Sequence, residues 1–237
     1  MNTTVYGQPV GTPVPNWRDR PRPSRVIVTG DYCRIEPVDV ERHARNLFDA
    51  YAEAPDDRDW TYLFADRPAD ADACRAWVAS LAASEDPLHY AVVDLASGRA
   101  VGTAALMRME PAHGVIEVGS ITYSPRLQRT RAGTEAMYLL MRYVFDDLGY
   151  RRYEWKCDSL NAPSLSAAKR YGFLFEGIFR QAIVYKGRNR DTAWFSITDQ
   201  EWPANRAAFE AWLRPENFDE RGDQRTSLAG VRNSPRD

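Results

Sequence analysis

The chain is poor in the residues that announce the commonest special chemistries. Its three cysteines, Cys33, Cys74 and Cys157, lie far apart with no CxxC among them. An odd, dispersed set builds neither a disulfide framework nor a zinc site and fits reduced thiols. The three histidines, His43, His89 and His113, share no ligand spacing with one another or with a carboxylate or cysteine, so no metal is expected. No apolar run approaches the roughly 20 residues that span a bilayer. The opening MNTTVYGQPVGTPVPNWRDRPRPS lacks the apolar core of a secretion signal, so a cytoplasmic protein with no membrane partner is expected. An excess of one charge is missing too. Lys and Arg number 31 against 33 Asp and Glu, a net of -2, which argues against bulk attraction to nucleic acid.

What is present is the composition of a globular domain. The 237 residues are 44% hydrophobic and 27% charged, and seven Trp and twelve Tyr suggest a large core and an aromatic-lined cleft. Residues 1–24, rich in Pro and Arg and without periodicity, read as an extended arm; residues 217–237 read as a polar tail. Between them, residues 25–216 alternate helical and extended patterns. Val40, Ala44, Leu47, Phe48 and Tyr51 form one helical stripe, and Cys74, Trp77, Val78 and Leu81 another. HYAVVDL, RAVGTAALMRM and GVIEVGSITYSP, separated by turn residues, predict an antiparallel meander. Ala136, Met137, Leu140, Met141, Val144, Phe145 and Leu148 mark a helix pressed on a sheet and stopped by Gly149. A strand RRYEWKCDS, a short helix PSLSAAKRYG, a hairpin closed by KGRNRD and a last helix ANRAAFEAWL follow. The strand before Tyr123, the helix after it and the strand at Tyr153 make one βαβ crossover. The fold class is α+β, a sandwich whose mixed, mostly antiparallel sheet of about seven strands is flanked by helices.

At RLQRTRAGTEAM, Arg126 to Met137, a strand runs through a loop into that long helix. The unpaired amides of a helix start, with the helix dipole, make an anion site. It is neither GxxxxGK[ST] nor a full GxGxxG, because only Gly133 is a glycine. Alone, the segment could equally be a charged turn before a core helix.

Set among its neighbours, the segment resembles the pyrophosphate-binding [Q/R]xxGx[G/A] signature of the GCN5-related N-acetyltransferase (GNAT) family, with Gln128, Arg131 and Gly133 at the fixed positions. Arg131 stands where that signature has a glycine and could contact phosphate directly. NAPSLSAAKRYGFLFEGIFRQ, KGRNRDTAWFSI and WTYL look like the RimJ/RimL-type branch, and the resemblance covers roughly Val26 to Trp202. It implies a GNAT fold and transfer of an acetyl group from acetyl-CoA, with no metal, directly to an amine. The acceptor would be a protein N-terminus or a small molecule, and a homodimer stays open. The cofactor contacts implied are Ile121, Tyr123, Gln128, Arg129, Arg131, Ala132, Gly133, Thr134 and Asn161.

Acetyl transfer needs a base for the amine, an oxyanion donor and a donor for the departing thiolate. Glu117 is the candidate base; strand alternation puts it on one face with Gly119 and Ile121 and opposite Val118. Asn161 and Ser164, at the start of PSLSAAKRYG, suit helix capping; the resemblance also places Asn161 on the pantetheine arm and Ser164 near the sulfur. The tyrosine acid of many family members falls at Ala168, Tyr171 is out of register, and Cys157 needs no catalytic role. Trp60 and Tyr62 could wall the acceptor entrance, with Asp57 or Asp59 attracting a cationic amine; a solvated acidic loop is the plainer reading. Arg180, Lys186, Arg188 and Arg190 read as a solvated turn that could border the 3′-phosphate of the cofactor or an acidic substrate. The alternative function is a catalytically weak acyl-CoA-binding or protein-interaction module on the same fold.

Overall fold

The computed structural model describes residues 2–234. The arm opens with a minimal hairpin, β1 (Asn2–Thr3) paired with β2 (Pro9–Val10). Its later part is fastened to the body: Trp17 Nε1 donates to Ala112 O at 2.8 Å, and Tyr90 Oη donates to Ser24 O at 2.8 Å.

The body comprises β3 (Val28–Thr29), β4 (Cys33–Pro37), α1 (Val40–Ala52), α2 (Ala71–Ala83), β5 (Leu88–Asp94), β6 (Arg99–Glu110), β7 (Val115–Tyr123), α3 (Arg131–Arg142), β8 (Arg152–Asp158), α4 (Ala162–Tyr171), β9 (Leu174–Tyr185), β10 (Arg188–Thr198), α5 (Trp202–Leu213) and α6 (Leu228–Asn233). The helix starts are set by short polar side chains. Asp39 accepts from Arg42 N at 2.9 Å and Asp70 from Ala73 N at 2.8 Å, caps worth about 1 kcal/mol each. After α3, one π-helical turn (Tyr143–Asp147) runs to Gly149, whose φ of +69° breaks the helix.

One sheet holds eight strands in the order β3-β4-β5-β6-β7-β8-β10-β9, and β3 is the strand that the sequence pattern does not announce. Only β7 and β8 run parallel, as the βαβ crossover requires. α1 and α2 close one core cluster around Leu47, Tyr51, Trp60 and Val78. α3 and α5 close the other. α3 is buried from Ala132 to Met141 rather than along one stripe, because α5 covers its far side: Tyr138 stacks on Phe209 (5.7 Å) and Trp202 (6.3 Å).

The segment expected to be a polar tail is partly built into the body. Phe218 and Leu228 are buried, and Trp212 Nε1 donates to Gln224 Oε1 at 2.8 Å. Two apolar residues in a polar stretch make too weak a pattern to register. The remainder of the expected tail, residues 235–237, lies outside the described residues.

Candidate active site

β7 and β8 pair from Val115↔Arg152 to Val118↔Trp155 and then part, although β7 continues to Tyr123 and β8 to Asp158. The cause is a bulge. Against β6 the register passes from Ala105↔Gly119 to Thr103↔Thr122, so β7 carries one extra residue, and Ser120 takes φ +47°. The extra residue also reverses the alternation. Gly119 and Thr122 share a face, so Ile121 does not stand with Glu117 as strict alternation predicted; it packs toward the core that contains Val118. Where the strands part, a cavity of about 820 Å³ opens, lined among others by Glu117, Ile121, Tyr123, Cys157, Asn161 and Ser164.

Glu117 is 4% exposed on the floor of this cavity. Burial holds its carboxyl above the usual carboxylate range, opposed by Lys156 and Arg108. Lys156 Nζ lies 2.9 Å from Glu117 Oε2, 2.6 Å from Glu154 Oε2 and 3.8 Å from the centroid of the Trp194 ring. Glu154 is bound in turn by Arg152 at 2.6 Å. A buried ammonium between two carboxylates is tolerable only because every charge is met. Lys156, Glu154 and Trp194 were not singled out in the sequence. They become neighbours through the β7–β8 and β8–β10 ladders (Glu117↔Glu154, Lys156↔Trp194). The i, i+2 spacing of Glu154 and Lys156 was the one available signal. His89 also lines the cavity, and burial pushes its pKa down to about 4.

Asn161 is the N-cap of α4, its Oδ1 accepting from Ser164 N at 3.2 Å, and both residues line the cavity. Ser164 Oγ accepts from Trp155 Nε1 at 3.0 Å. An indole only donates, so the serine hydroxyl can donate in turn, and the Cys157 sulfur lies within its reach. Burial raises the neighbouring Cys157 thiol, which keeps it a poor nucleophile. Tyr171 lines the cavity while packing against Trp155 and Phe209.

At the α3 entrance, Thr130 is the N-cap and accepts from Gly133 N at 3.0 Å. The amides of Arg129, Arg131 and Ala132 donate to no acceptor among the described residues, and Arg129 takes φ +60°. Gly133 lies so close to the loop that a Cβ would stand 2.5 Å from Leu127 O and 3.3 Å from the Tyr123 ring. Arg131 points elsewhere: its guanidinium sits 3.6 Å over the Phe218 ring and 5.6 Å from the Tyr32 ring. The C-terminal segment thus offers this side chain an aromatic face. Thr134 Oγ1 is likewise occupied, donating to Thr130 O and accepting from Arg170.

The acceptor wall assembles from the 58–66 loop. Trp60 is buried against Tyr51 and Trp77, and Tyr62 Oη donates to Leu160 O at 3.1 Å. Asp59 accepts from Gln128 Nε2 at 2.9 Å, so the expected amine-attracting carboxylate is tied to the entrance loop. Lys186 donates to Trp60 O and Ala65 O and pairs with Asp66, while Arg188 donates to Thr61 O. Both cations read as a solvated turn in the sequence; they pin this loop over the cavity. Arg180 lies apart from the cavity lining, whereas Arg190 belongs to it.

Among the described residues no helix is long and apolar enough to cross a membrane, and no cluster of three His, Cys, Asp or Glu could hold a metal. Comparison with known proteins agrees with the geometry. The family model described as "Acetyltransferase (GNAT) domain" matches residues 34–174. A GCN5-related N-acetyltransferase from Brucella melitensis is 51% identical and superposes with a TM-score of 0.91, covering 93% of this chain and 100% of that one. Two Bacillus subtilis proteins are more distant. YnaD, an uncharacterised N-acetyltransferase, is 27% identical over 86 residues, 36% of this chain but only 50% of its own length. YdaF, named provisionally as a ribosomal N-acetyltransferase, is 25% identical over 176 residues, 71% of this chain and 90% of its own. A splayed parallel strand pair, a helix start rich in unbonded amides and a family match over more than half the chain lead to one conclusion: this protein belongs to the GNAT acetyltransferase family.

Proposed function

We propose that this chain transfers the acetyl group of acetyl-CoA directly to an amine within a ternary complex. The observation that carries the reading is the cavity itself, which runs from Gln128, in the loop just before α3, to a buried carboxylate, Glu117, where β7 and β8 part. The cofactor fits what is there. The unbonded amides of Arg129, Arg131 and Ala132 suit a pyrophosphate, Gly133 keeps the helix start clear, and the parted strands leave room for an extended arm. When bound, acetyl-CoA supplies an activated thioester.

Each chemical role then falls to a residue on the cavity wall. Glu117 takes a proton from the amine, which is protonated near neutral pH until a base acts. Lys156 opposes the burial that raises this carboxyl's pKa. The amine nitrogen bonds to the acetyl carbon as the carbon–sulfur bond breaks, with backbone amides after Ile121 orienting the thioester oxygen. The Ser164 hydroxyl hydrogen-bonds the departing thiolate, while its oxygen keeps the Trp155 Nε1 bond. Asn161 holds the arm, and Trp60, Tyr62 and Asp59 border the acceptor. The provisional name of YdaF supports a RimJ/RimL-type assignment, with a protein N-terminus or a small amine as acceptor.

The test is calorimetric titration with acetyl-CoA together with thiol release across a panel of small amines and peptide N-termini. Binding followed by amine-dependent thiol release is the expected result. Tight binding with no release from any amine would leave an acyl-CoA-binding module instead.

A further inference from the structure

The cavity has a second charged position that acetyl transfer leaves unused. Arg190, on β10, lines it and is 7% exposed. Its Nε donates to Thr192 Oγ1 at 3.2 Å, and its guanidinium carbon lies 5.7 Å from the Phe64 ring centroid and 5.9 Å from that of Tyr185. Among the described residues its Nη donors reach no protein acceptor and no carboxylate pairs with it. The groups around it are already committed. Lys186 is paired with Asp66 and Arg188 is bonded to Thr61 O. Asp158 is held by Tyr185 Oη at 2.8 Å and by Leu160 N at 2.9 Å.

Arginine does not shed its charge at any ordinary pH. Burying a cation without a counter-ion is costly, and two distant ring faces return little of that cost. Lys156 gives the contrast, since the same cavity meets that buried cation with two carboxylates. A planar guanidinium with its outer donors turned to a cavity is shaped for bidentate capture of an oxyanion.

We infer that Arg190 receives a carboxylate carried by the acceptor, so that the substrates are amines bearing an acid group. The inference rests on the transferase reading for the amine half of the substrate. Trp194, which holds Lys156 beside Glu117, lies four residues further along β10. At about 3.3 Å per residue that is roughly 13 Å of strand, part of which the arginine side chain bridges. The amine and the acid are therefore several bonds apart, as in an ω-amino carboxylate or in a peptide with an acidic residue close to its N-terminus.

The probes are ω-amino carboxylates from glycine to 6-aminohexanoate, each paired with its carboxamide, and hexapeptides with Asp or Asn at the second position. Thiol release is measured at saturating acetyl-CoA, and binding to the CoA-loaded protein by calorimetry. In at least one pair the acid is favoured roughly tenfold or more. Arg190→Gln reduces that preference below about twofold, and Arg190→Lys keeps part of it, because only the point charge survives. Acetyl-CoA affinity is unchanged in both variants. A preference in the first arm identifies a small amino acid as the substrate, and one in the second a polypeptide N-terminus. Equal handling of acid and amide in every pair overturns the inference. So does a preference that survives Arg190→Gln, or a loss of acetyl-CoA affinity in that variant. Failure of the transferase reading is seen separately, as absent thiol release with the calorimetric acid preference intact.

Discussion

At the α3 entrance the groups offered to a ligand are peptide amides, whereas on the β7–β8 floor they are carboxylates and an ammonium. The entrance side chains are mostly engaged by other parts of the protein: Arg131 lies on Phe218, Gln128 is bonded to Asp59, and Thr134 sits between Thr130 and Arg170. What the entrance offers is space and backbone direction, and Gly133 is where a Cβ would collide with the loop. The floor is the reverse. Its backbone is ordinary strand up to Gly119, and its chemistry depends on which side chains the two ladders bring together. A site built from amides tolerates side-chain change; a site built from paired charges does not.

Four substitutions break or sharpen that contrast. The largest effect belongs to the floor. Glu117→Gln lowers kcat on the order of 10³-fold while acetyl-CoA affinity, read by calorimetry, stays put. The pH profile adds a second readout. Because burial holds the Glu117 carboxyl above its usual range, the acidic limb of kcat/KM lies higher than for an exposed glutamate, the rate falls as pH drops through it, and the glutamine variant lacks that limb. Next is Gly133→Ala. Its Cβ meets Leu127 O at 2.5 Å, and Leu127 is fully buried, so the loop cannot yield cheaply. Acetyl-CoA affinity falls on the order of 10²-fold, and overpacking lowers stability by about 1–3 kcal/mol in a thermal melt.

Ser164→Ala lowers kcat by about tenfold, the worth of one hydrogen bond to a charged group, with cofactor affinity nearly unchanged. The smallest effect is the one that most directly tests the contrast. Arg131→Ala shifts acetyl-CoA affinity by less than about twofold, and its cost of about 1 kcal/mol appears as faster amide exchange around Phe218. A tenfold loss of affinity in that variant would mean that the arginine leaves Phe218 for phosphate, and the entrance would no longer be an all-backbone site.

Much of this was legible in the sequence wherever it was repeated along the chain. The stripe from Ala136 to Val144 announced α3, and the alternating runs announced the meander, since periodic burial leaves a periodic record. Glu117, Asn161 and Ser164 were legible as site residues only through neighbouring motifs, and the structure brings all three to one cavity. The single-residue irregularities were not legible. The bulge at Ser120 is preceded by Gly119, but one glycine inside a strand does not say which residue is extra, and the bulge moved Ile121 to the other face. Arg131 was read for its charge, but its partner Phe218 is distant in the chain and belongs to a segment whose composition suggests a tail.

By itself, the sequence determined the α+β class, the order of elements, the βαβ crossover and the helix start that could hold an anion, because each is written in local periodicity and capping chemistry. Tertiary structure alone decided which charges meet. Lys156 was drawn between Glu117 and Glu154, Arg131 onto Phe218, and Arg190 into the cavity without a counter-ion. The physical reason is that a buried charge is governed by whatever lies within a few ångströms of it. That neighbourhood is fixed by strand register and packing between distant segments, which no local pattern encodes.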